Sequence, residues 1–250
     1  LTLLTMARDL QRRKARERSG RFVAEGVRTV EELLKSTLAI DGVLVAESAT
    51  QAPRTAQLLA QAADRRAPVV TVSDREFDSA AGTEAPQGVL AVAKVPEFTV
   101  ASLPASGVRL LVLDAVQDPG NVGTILRTAA ALGVTATVAL PGTVDLWNAK
   151  VVRSAMGSHF VHPTFSWTVD ALAPILADRG IPLWGADAAG TPLPEVEVPS
   201  QWALAVGNEG AGLSPAVQSL VAGTVALPIS PTVESLNVAV ATGILLFAFR

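Results

Sequence analysis

Apolar positions recur along the 250-residue chain in two rhythms, one of helical period and one of strand-like runs. Residues 2–18 alternate apolar and basic positions at helix-compatible spacing and stop at Ser19-Gly20, a helix-ending pair. Residues 21–26 read as a short strand and turn. Val27 to Lys35 reads as an amphipathic helix, with Val27, Val30, Leu33 and Leu34 on one face. Strands are expected at 42–46, 68–72 and 89–95, and helical pieces at 55–63 and 74–80. Residues 1–95 therefore form a small α/β unit.

Residues 96–107 hold two prolines, a glycine and small polar residues without a period, the composition of a linker. The second unit, 108–250, opens with Arg109-Leu110-Leu111-Val112-Leu113-Asp114, an apolar run suited to a strand buried on both faces. Asp118-Pro119-Gly120-Asn121 turns the chain, and a helix is expected from Val122 to Leu132, stopped by Gly133. Further strands are expected at 135–140, 183–187, 202–206 and 224–227, with helices near 145–156, 169–179, 214–221 and 235–249. This alternation means βαβ units and a mostly parallel sheet.

Composition narrows the chemistry. There is no cysteine, which removes disulfides, thiolate zinc sites and cysteine nucleophiles. Two histidines, His159 and His162, are too few for a histidine-built metal centre. The apolar stretch 236–249 falls short of the ~20 residues that span a bilayer, and reads as a buried helix. No signal-peptide pattern opens the chain. A cytoplasmic protein without a metal or a membrane anchor is expected.

The net charge of −3 argues against a nucleic-acid partner until its distribution is considered. Arg8, Arg12, Arg13, Lys14, Arg16, Arg18 and Arg21 cluster near the N-terminus against only Asp9 and Glu17. Such a cluster is either a solvated helix face or the electrostatic footprint of a phosphate backbone. Tyrosine is absent, so a base-stacking platform is poorly supported. Phosphate contacts and shape would carry RNA affinity.

Three stretches lie where strands give way to loops: Asn121-Val122-Gly123-Thr124-Ile125-Leu126-Arg127, Val206-Gly207-Asn208-Glu209-Gly210-Ala211-Gly212, and Leu227-Pro228-Ile229 with Ser235-Leu236-Asn237. In open α/β sheets the carboxyl edge is where ligands bind. Asn121 can cap its helix or face a ligand, and Arg127 can reach back toward the same loop. The glycines of the second stretch permit close backbone approach, though the pattern is neither the dinucleotide fingerprint nor a P-loop. Ser235 has an ordinary reading as a helix cap. Asn237 at the head of an apolar helix needs polar partners.

In order and spacing the three stretches resemble the signature motifs of the SpoU/TrmH family, RNA ribose 2′-O-methyltransferases of the SPOUT class. Phe22-Val23-Ala24-Glu25-Gly26-Val27-Arg28 and Glu84-Ala85-Pro86-Gln87-Gly88-Val89-Leu90-Ala91-Val92 resemble the substrate-binding domain that precedes many of them. The resemblance implies a trefoil-knotted α/β domain, a homodimer, and S-adenosylmethionine held by Gly207, Leu227, Ile229 and Leu236. It implies Arg127 as the central catalytic residue, with Asn121, Glu209, Ser235 and Asn237 arranging it and the substrate. RNA contacts are expected at Arg12, Arg13, Lys14, Arg16, Arg18, Arg21, Arg28, Lys150 and Arg153. His159 is expected to pack or touch RNA rather than act as a base.

A guanidinium stays protonated in proteins, so Arg127 is either unusually perturbed or a cation for the developing alkoxide. The expected activity is ribose 2′-O-methylation, with ribosomal RNA of the 23S type favoured over tRNA. Two rivals remain at this point: a catalytically silent RNA-binding or ribosome-assembly protein, and a doubly wound enzyme for a nucleotide-containing small molecule.

Overall fold

The computed structural model describes residues 2–250. In chain order the elements are α1 (Leu3–Asp9), α2 (Arg13–Ser19), β1 (Arg21–Glu25), α3 (Val27–Lys35), β2 (Ile40–Ala46), α4 (Pro53–Asp64), β3 (Val69–Val72), α5 (Asp74–Asp78) and β4 (Val89–Lys94). There follow β5 (Arg109–Asp114), α6 (Pro119–Ala131), β6 (Ala136–Ala139), α7 (Ala149–Ser154), β7 (Thr164–Ser166), α8 (Val169–Arg179), β8 (Leu183–Pro192), β9 (Trp202–Gly207), α9 (Pro215–Gln218), β10 (Gly223–Ala226) and α10 (Val238–Ala248). Two compact units result. One comprises the chain up to Glu97 together with Asp145–Val161, and the other comprises Phe98–Val144 with His162–Arg250. The first unit thus contains a segment from the middle of the later sequence.

The first unit is built on a four-stranded mixed sheet in the order β1-β4-β2-β3, in which only β2 and β3 run parallel. Strand alternation sends Phe22, Ala24, Val43, Val45, Val89 and Ala91 to a core shared with α3, α4 and α7. The intervening Val23, Leu44, Leu90 and Val92 pack with α1 and α5 residues on the opposite face. The segment 145–161 belongs here because it supplies Val152 and Phe160 to that first core. Trp147 adds its ring 4.6 Å from that of Phe22.

The helix expected over 2–18 is broken into α1 and α2. The carbonyls of Leu10 and Gln11 turn to accept hydrogen bonds from Arg16 Nη1, which withdraws them from a continuous helix. Gly20 ends α2 in the left-handed conformation, φ 60°, with its N–H donating to Arg16 O.

The second unit is a fully parallel six-stranded sheet in the order β10-β8-β9-β5-β6-β7. Its central strands β5, β6 and β9 are buried on both faces, which explains the unbroken apolar run at 110–113. Leu110, Val112, Val138, Ala203 and Ala205 pack with Leu172, Leu176 and Val217 of α8 and α9. The C-terminus is fixed by Trp202, whose Nε1–H donates to Phe249 O at 2.9 Å, with the two rings 5.4 Å apart. Strand β7, too short to carry a periodic signal, was not expected. β8 continues past the expected end to Pro192 and pairs with β10 through a register shift.

Candidate active site

The three loops leave the sheet at the carboxyl ends of β5, β9 and β10, and helices α6 and α10 rise from two of them. Asp118, not Asn121, caps α6: its Oδ1 accepts the Asn121 N–H at 2.7 Å. That leaves the Asn121 side chain free for longer-range bonding. Its Nδ2 donates to Glu209 Oε1 at 3.2 Å, and its Oδ1 accepts from Asn237 Nδ2 at 3.0 Å. One residue from each loop therefore stands in a single hydrogen-bonded line, Glu209-Asn121-Asn237.

Asn237 rather than Ser235 is the cap of α10, with its Oδ1 accepting the N–H groups of Ala239 and Val240. This answers the question of its polar partners: the amide oxygen serves the helix and the amide nitrogen serves Asn121. Ser235 lies two residues before that cap and is exposed.

The glycine-rich loop is folded on itself. Asn208 pairs with Gly212 through both backbone groups, and the Asn208 Oδ1 accepts the N–H groups of Gly210 and Ala211. Its Nδ2 donates to Ala115 O at 2.9 Å, fastening the loop to the end of β5. A Cβ at Gly207 would overlap the Gly212 backbone, so the close approach that demands glycine here is made by the chain itself. Buried Asp114 secures the other end, accepting the Ser214 N–H at 2.6 Å. Asn208, Asp114 and Asp118 were not singled out from the sequence. An Asn followed two residues later by Gly is an Asx-turn signal that could have marked the first of them.

Arg127 lies on α6 and is exposed, without an ion pair or hydrogen bond among the described residues. The α6 residues Asn121, Thr124 and Thr128 line a groove of about 550 Å³ with Asn237, Val240, Ile244 and Phe247 of the α10 region, and Arg127, one residue before Thr128, is not among the residues that line it. The second unit has only four basic residues, Arg109, Arg127, Arg179 and Arg250, against nine acids. Arg179 donates to the carbonyls of Pro104 and Val100, and Arg250 lies over the Phe247 ring. Arg109 begins β5, at the opposite end from its loop. That leaves Arg127 as the cation nearest in sequence to the polar line.

Gly207 ends β9, Leu227 follows β10, and Leu236 precedes Asn237. Leu227 and Leu236 are half-buried and Ile229 is exposed. Among the described residues no hydrogen bond joins these four. Leu227, Ile229 and Leu236 fit an apolar group bound at this edge in one respect: their side chains are incompletely covered by the protein.

The expected RNA-contact set divides in the first unit. Arg16 is withdrawn from it: the side chain is 6% exposed, and Nε and Nη2 meet Asp145 Oδ2 at 2.7 and 2.6 Å. Arg21 is half-buried and pairs with Asp41 at 2.8 Å. Arg12 bonds Asp9 and Arg13 bonds Glu17, both at the surface. Lys14, Arg18, Arg28 and Lys150 are exposed and without ion pairs among the described residues. Arg153 is half-buried. His159 is buried with its ring edge-on to Trp147, centroids 4.0 Å apart, a packing position. His162 is also buried and shares a hydrogen bond between Nε2 and Thr137 Oγ1, and burial pushes its pKa down to about 4.

An all-parallel sheet with a side-chain line and a glycine-bent loop at its carboxyl edge has the form of an α/β ligand-binding enzyme. The chain belongs to the SpoU rRNA methylase family, whose model matches residues 109–247, and an MRM3-like substrate binding domain matches residues 5–91. It is 36% identical over 244 residues to the 23S rRNA (guanosine(2553)-2′-O)-methyltransferase RlmP of Bacillus subtilis, covering 97% of this chain and 94% of that one. Among solved structures, it is similar to the SpoU methyltransferase AviRb of Streptomyces viridochromogenes in complex with S-adenosylmethionine, with a TM-score of 0.88, 26% identity, and coverage of 98% and 96%. An S-adenosylmethionine-bound rRNA methyltransferase of Sinorhizobium meliloti gives a TM-score of 0.85 at 27% identity, covering 99% of this chain and 93% of that one. No described helix is long and apolar enough to cross a membrane.

Proposed function

We propose that this protein methylates a ribose 2′-hydroxyl of ribosomal RNA of the 23S type, using S-adenosylmethionine, as the names of its relatives suggest. The observation that carries the reading is the hydrogen-bonded line Glu209-Asn121-Asn237, which ties all three family motifs together at one sheet edge. When bound, the cofactor supplies a methyl group already made electrophilic by its sulfonium. Gly207, Leu227, Ile229 and Leu236 are the residues assigned to hold it.

The remaining task is to place the hydroxyl and remove its proton. Asn121 and Asn237, each locked through its amide, orient the loops, and Ser235 adds a hydroxyl beside them. Glu209 holds a carboxylate at the mouth of the loop. Arg127 meets the developing alkoxide or the neighbouring phosphate as a fixed cation, because a guanidinium serves poorly as a base. Exposed Arg12, Arg13, Lys14, Arg18, Arg28 and Lys150, with Arg21 and Arg153, form the basic surface of the substrate-binding unit. Concentrating attraction there suits a catalytic unit that is itself acidic.

The reading extends to a homodimer in the cytoplasm with a knotted C-terminal segment. Val240, Ile244 and Phe247 are exposed at a spacing of one helix face on α10, beside Asn121 and Asn237. A second copy laid there covers that stripe and stands next to the site. For the knot, the support is that α10 follows the edge strand β10 yet packs on α6, the helix after central β5.

The test is transfer of tritiated methyl to ribosomal RNA. Arg127→Ala should abolish transfer with little change in cofactor affinity, and Arg127→Lys should also fail where the planar fork matters. Near-normal turnover in Arg127→Ala would remove that residue from the site. Cofactor binding with turnover independent of RNA would favour a small-molecule enzyme instead. Phe247→Glu should convert a dimer to a monomer in sedimentation, and an unchanged sedimentation coefficient would overturn the dimer face.

A further inference from the structure

The first unit contains a cavity of about 340 Å³ that no feature of the methyl-transfer site uses. Its wall includes Gly26, Arg28 and Thr29 at the start of α3, Gln87 from the loop before β4, and Arg153 from α7. The last comes from the segment 145–161, which is fastened to α3. Gly157, in left-handed backbone at φ 89°, lies so close that a Cβ there would come within 2.5 Å of Glu32 Cβ.

The cavity is rich in hydrogen-bond donors. Arg153 is half-buried in the wall, and its Nη1 has no acceptor among the described residues. Arg28 is exposed at the rim without an ion pair among the described residues. The first-turn N–H groups of Arg28 and Thr29 have no carbonyl four residues back within the helix, while that of Val27 is taken by Gln87 Oε1 at 3.0 Å. The one acid in the wall is Glu25. Its carboxylate is committed, accepting the Gly82 N–H at 2.7 Å and the Thr83 hydroxyl. Two guanidinium groups against one carboxylate leave a single positive charge.

We propose that this cavity is a phosphate-binding pocket that receives one phosphodiester of the RNA, seated between Arg28 and Arg153 at the start of α3. A phosphodiester carries one negative charge, matching the cavity, and its oxygens accept from both the guanidinium forks and helix N–H groups. Because the donors come from two separate stretches of chain, the pocket exists only when 145–161 is docked on α3. The proposal rests on RNA being the substrate, and it assigns a positioning role to Arg28 and Arg153, distant in sequence from the reacting motifs.

The experiment measures affinity of the full-length protein for ribosomal RNA fragments over a KCl series, alongside S-adenosylmethionine affinity by calorimetry. Arg28→Gln, Arg153→Gln and the double variant are compared with the parent. Each single variant should weaken RNA binding about tenfold near physiological salt, and the double variant should flatten the log–log salt slope by about 0.7–0.9, one phosphate. Cofactor affinity should stay constant. Arg28 is exposed, so its variant keeps the test decisive where Arg153→Gln disturbs folding. In a second arm, inorganic phosphate and a nucleoside monophosphate are titrated while the Arg28 and Thr29 amide resonances are followed. Millimolar, Arg153-dependent shifts support the pocket. Micromolar nucleotide affinity with an unchanged RNA salt slope would assign it to a free nucleotide and overturn the RNA source. An unchanged slope with no shifts would overturn the pocket altogether. A parent protein that binds no RNA would instead sink the functional reading on which the proposal rests.

Discussion

Arg16 offers the sharpest test of how its surroundings override its charge. Its guanidinium makes four polar contacts inside the first unit, two to Asp145 Oδ2 and one each to the carbonyls of Leu10 and Gln11. Side-chain exposures of 6% for Arg16 and 16% for Asp145 place the pair largely out of water. Removing one partner of a buried pair strands the other and costs roughly 3–5 kcal/mol. Asp145→Asn keeps a single carbonyl oxygen, enough for either the Trp147 N–H or the Arg16 guanidinium, and sets an amide donor against the other, so its cost is about 3 kcal/mol. Arg16→Met leaves two carbonyls and a carboxylate without their donor, and about 3 kcal/mol is expected on the same reasoning.

The double variant should cost less than the two single costs added together, by about 2 kcal/mol, because no charge is then stranded. Urea unfolding of the four proteins measures the cycle. RNA binding over a salt series supplies the second reading. Arg16→Met should leave the salt slope unchanged, whereas Lys14→Gln or Arg18→Gln should each lower it by about 0.7–0.9 if that residue meets a phosphate. Single variants within about 0.5 kcal/mol of the parent, the range of ordinary surface changes, would refute the structural assignment of Arg16. So would loss of one phosphate's worth of salt slope in Arg16→Met.

Three further outcomes follow from the described geometry. His162 has a folded-state pKa near 4, so the unfolded chain takes up its proton first as pH falls. Its contribution is complete above pH ~6.5 and declines by roughly 3 kcal/mol between there and pH 4, a dependence that His162→Gln should remove from pH-resolved unfolding. Gly207→Ala would force the Gly212 backbone aside, costing about 1–3 kcal/mol in unfolding and at least about tenfold in cofactor affinity; calorimetry showing neither would mean that the loop yields freely. Asn121→Ala cuts both links of the polar line and should lower kcat by about 10²-fold with little change in cofactor affinity, and an unchanged kcat would make the line structural only.

The alternating pattern was sufficient for most elements, because buried strands and amphipathic helices leave periodic traces. The unbroken run at 109–114 corresponds to β5, and Val30, Leu33 and Leu34 are buried on α3. Family membership was also legible, since it resides in the order of short motifs. Some features had no local signature. The burial of Arg16 could not be read from a basic cluster, since its partner Asp145 lies 129 residues away, and the break at Leu10–Arg12 follows from the same inward-turned guanidinium. Likewise the motifs at Asn121, Glu209 and Asn237 announced polar residues near strand ends, while their bonding spans 88 and 116 residues.

What the chain determines locally is therefore its elements, its caps and its chemistry-bearing loops, because these depend on neighbours a few residues apart. Tertiary structure alone decided which arginines face water, which unit claims residues 145–161, and which partner completes each amide. Those outcomes depend on desolvation and on contacts between distant segments, and a carboxylate brought close by folding changes a basic side chain from a surface charge into an internal strut.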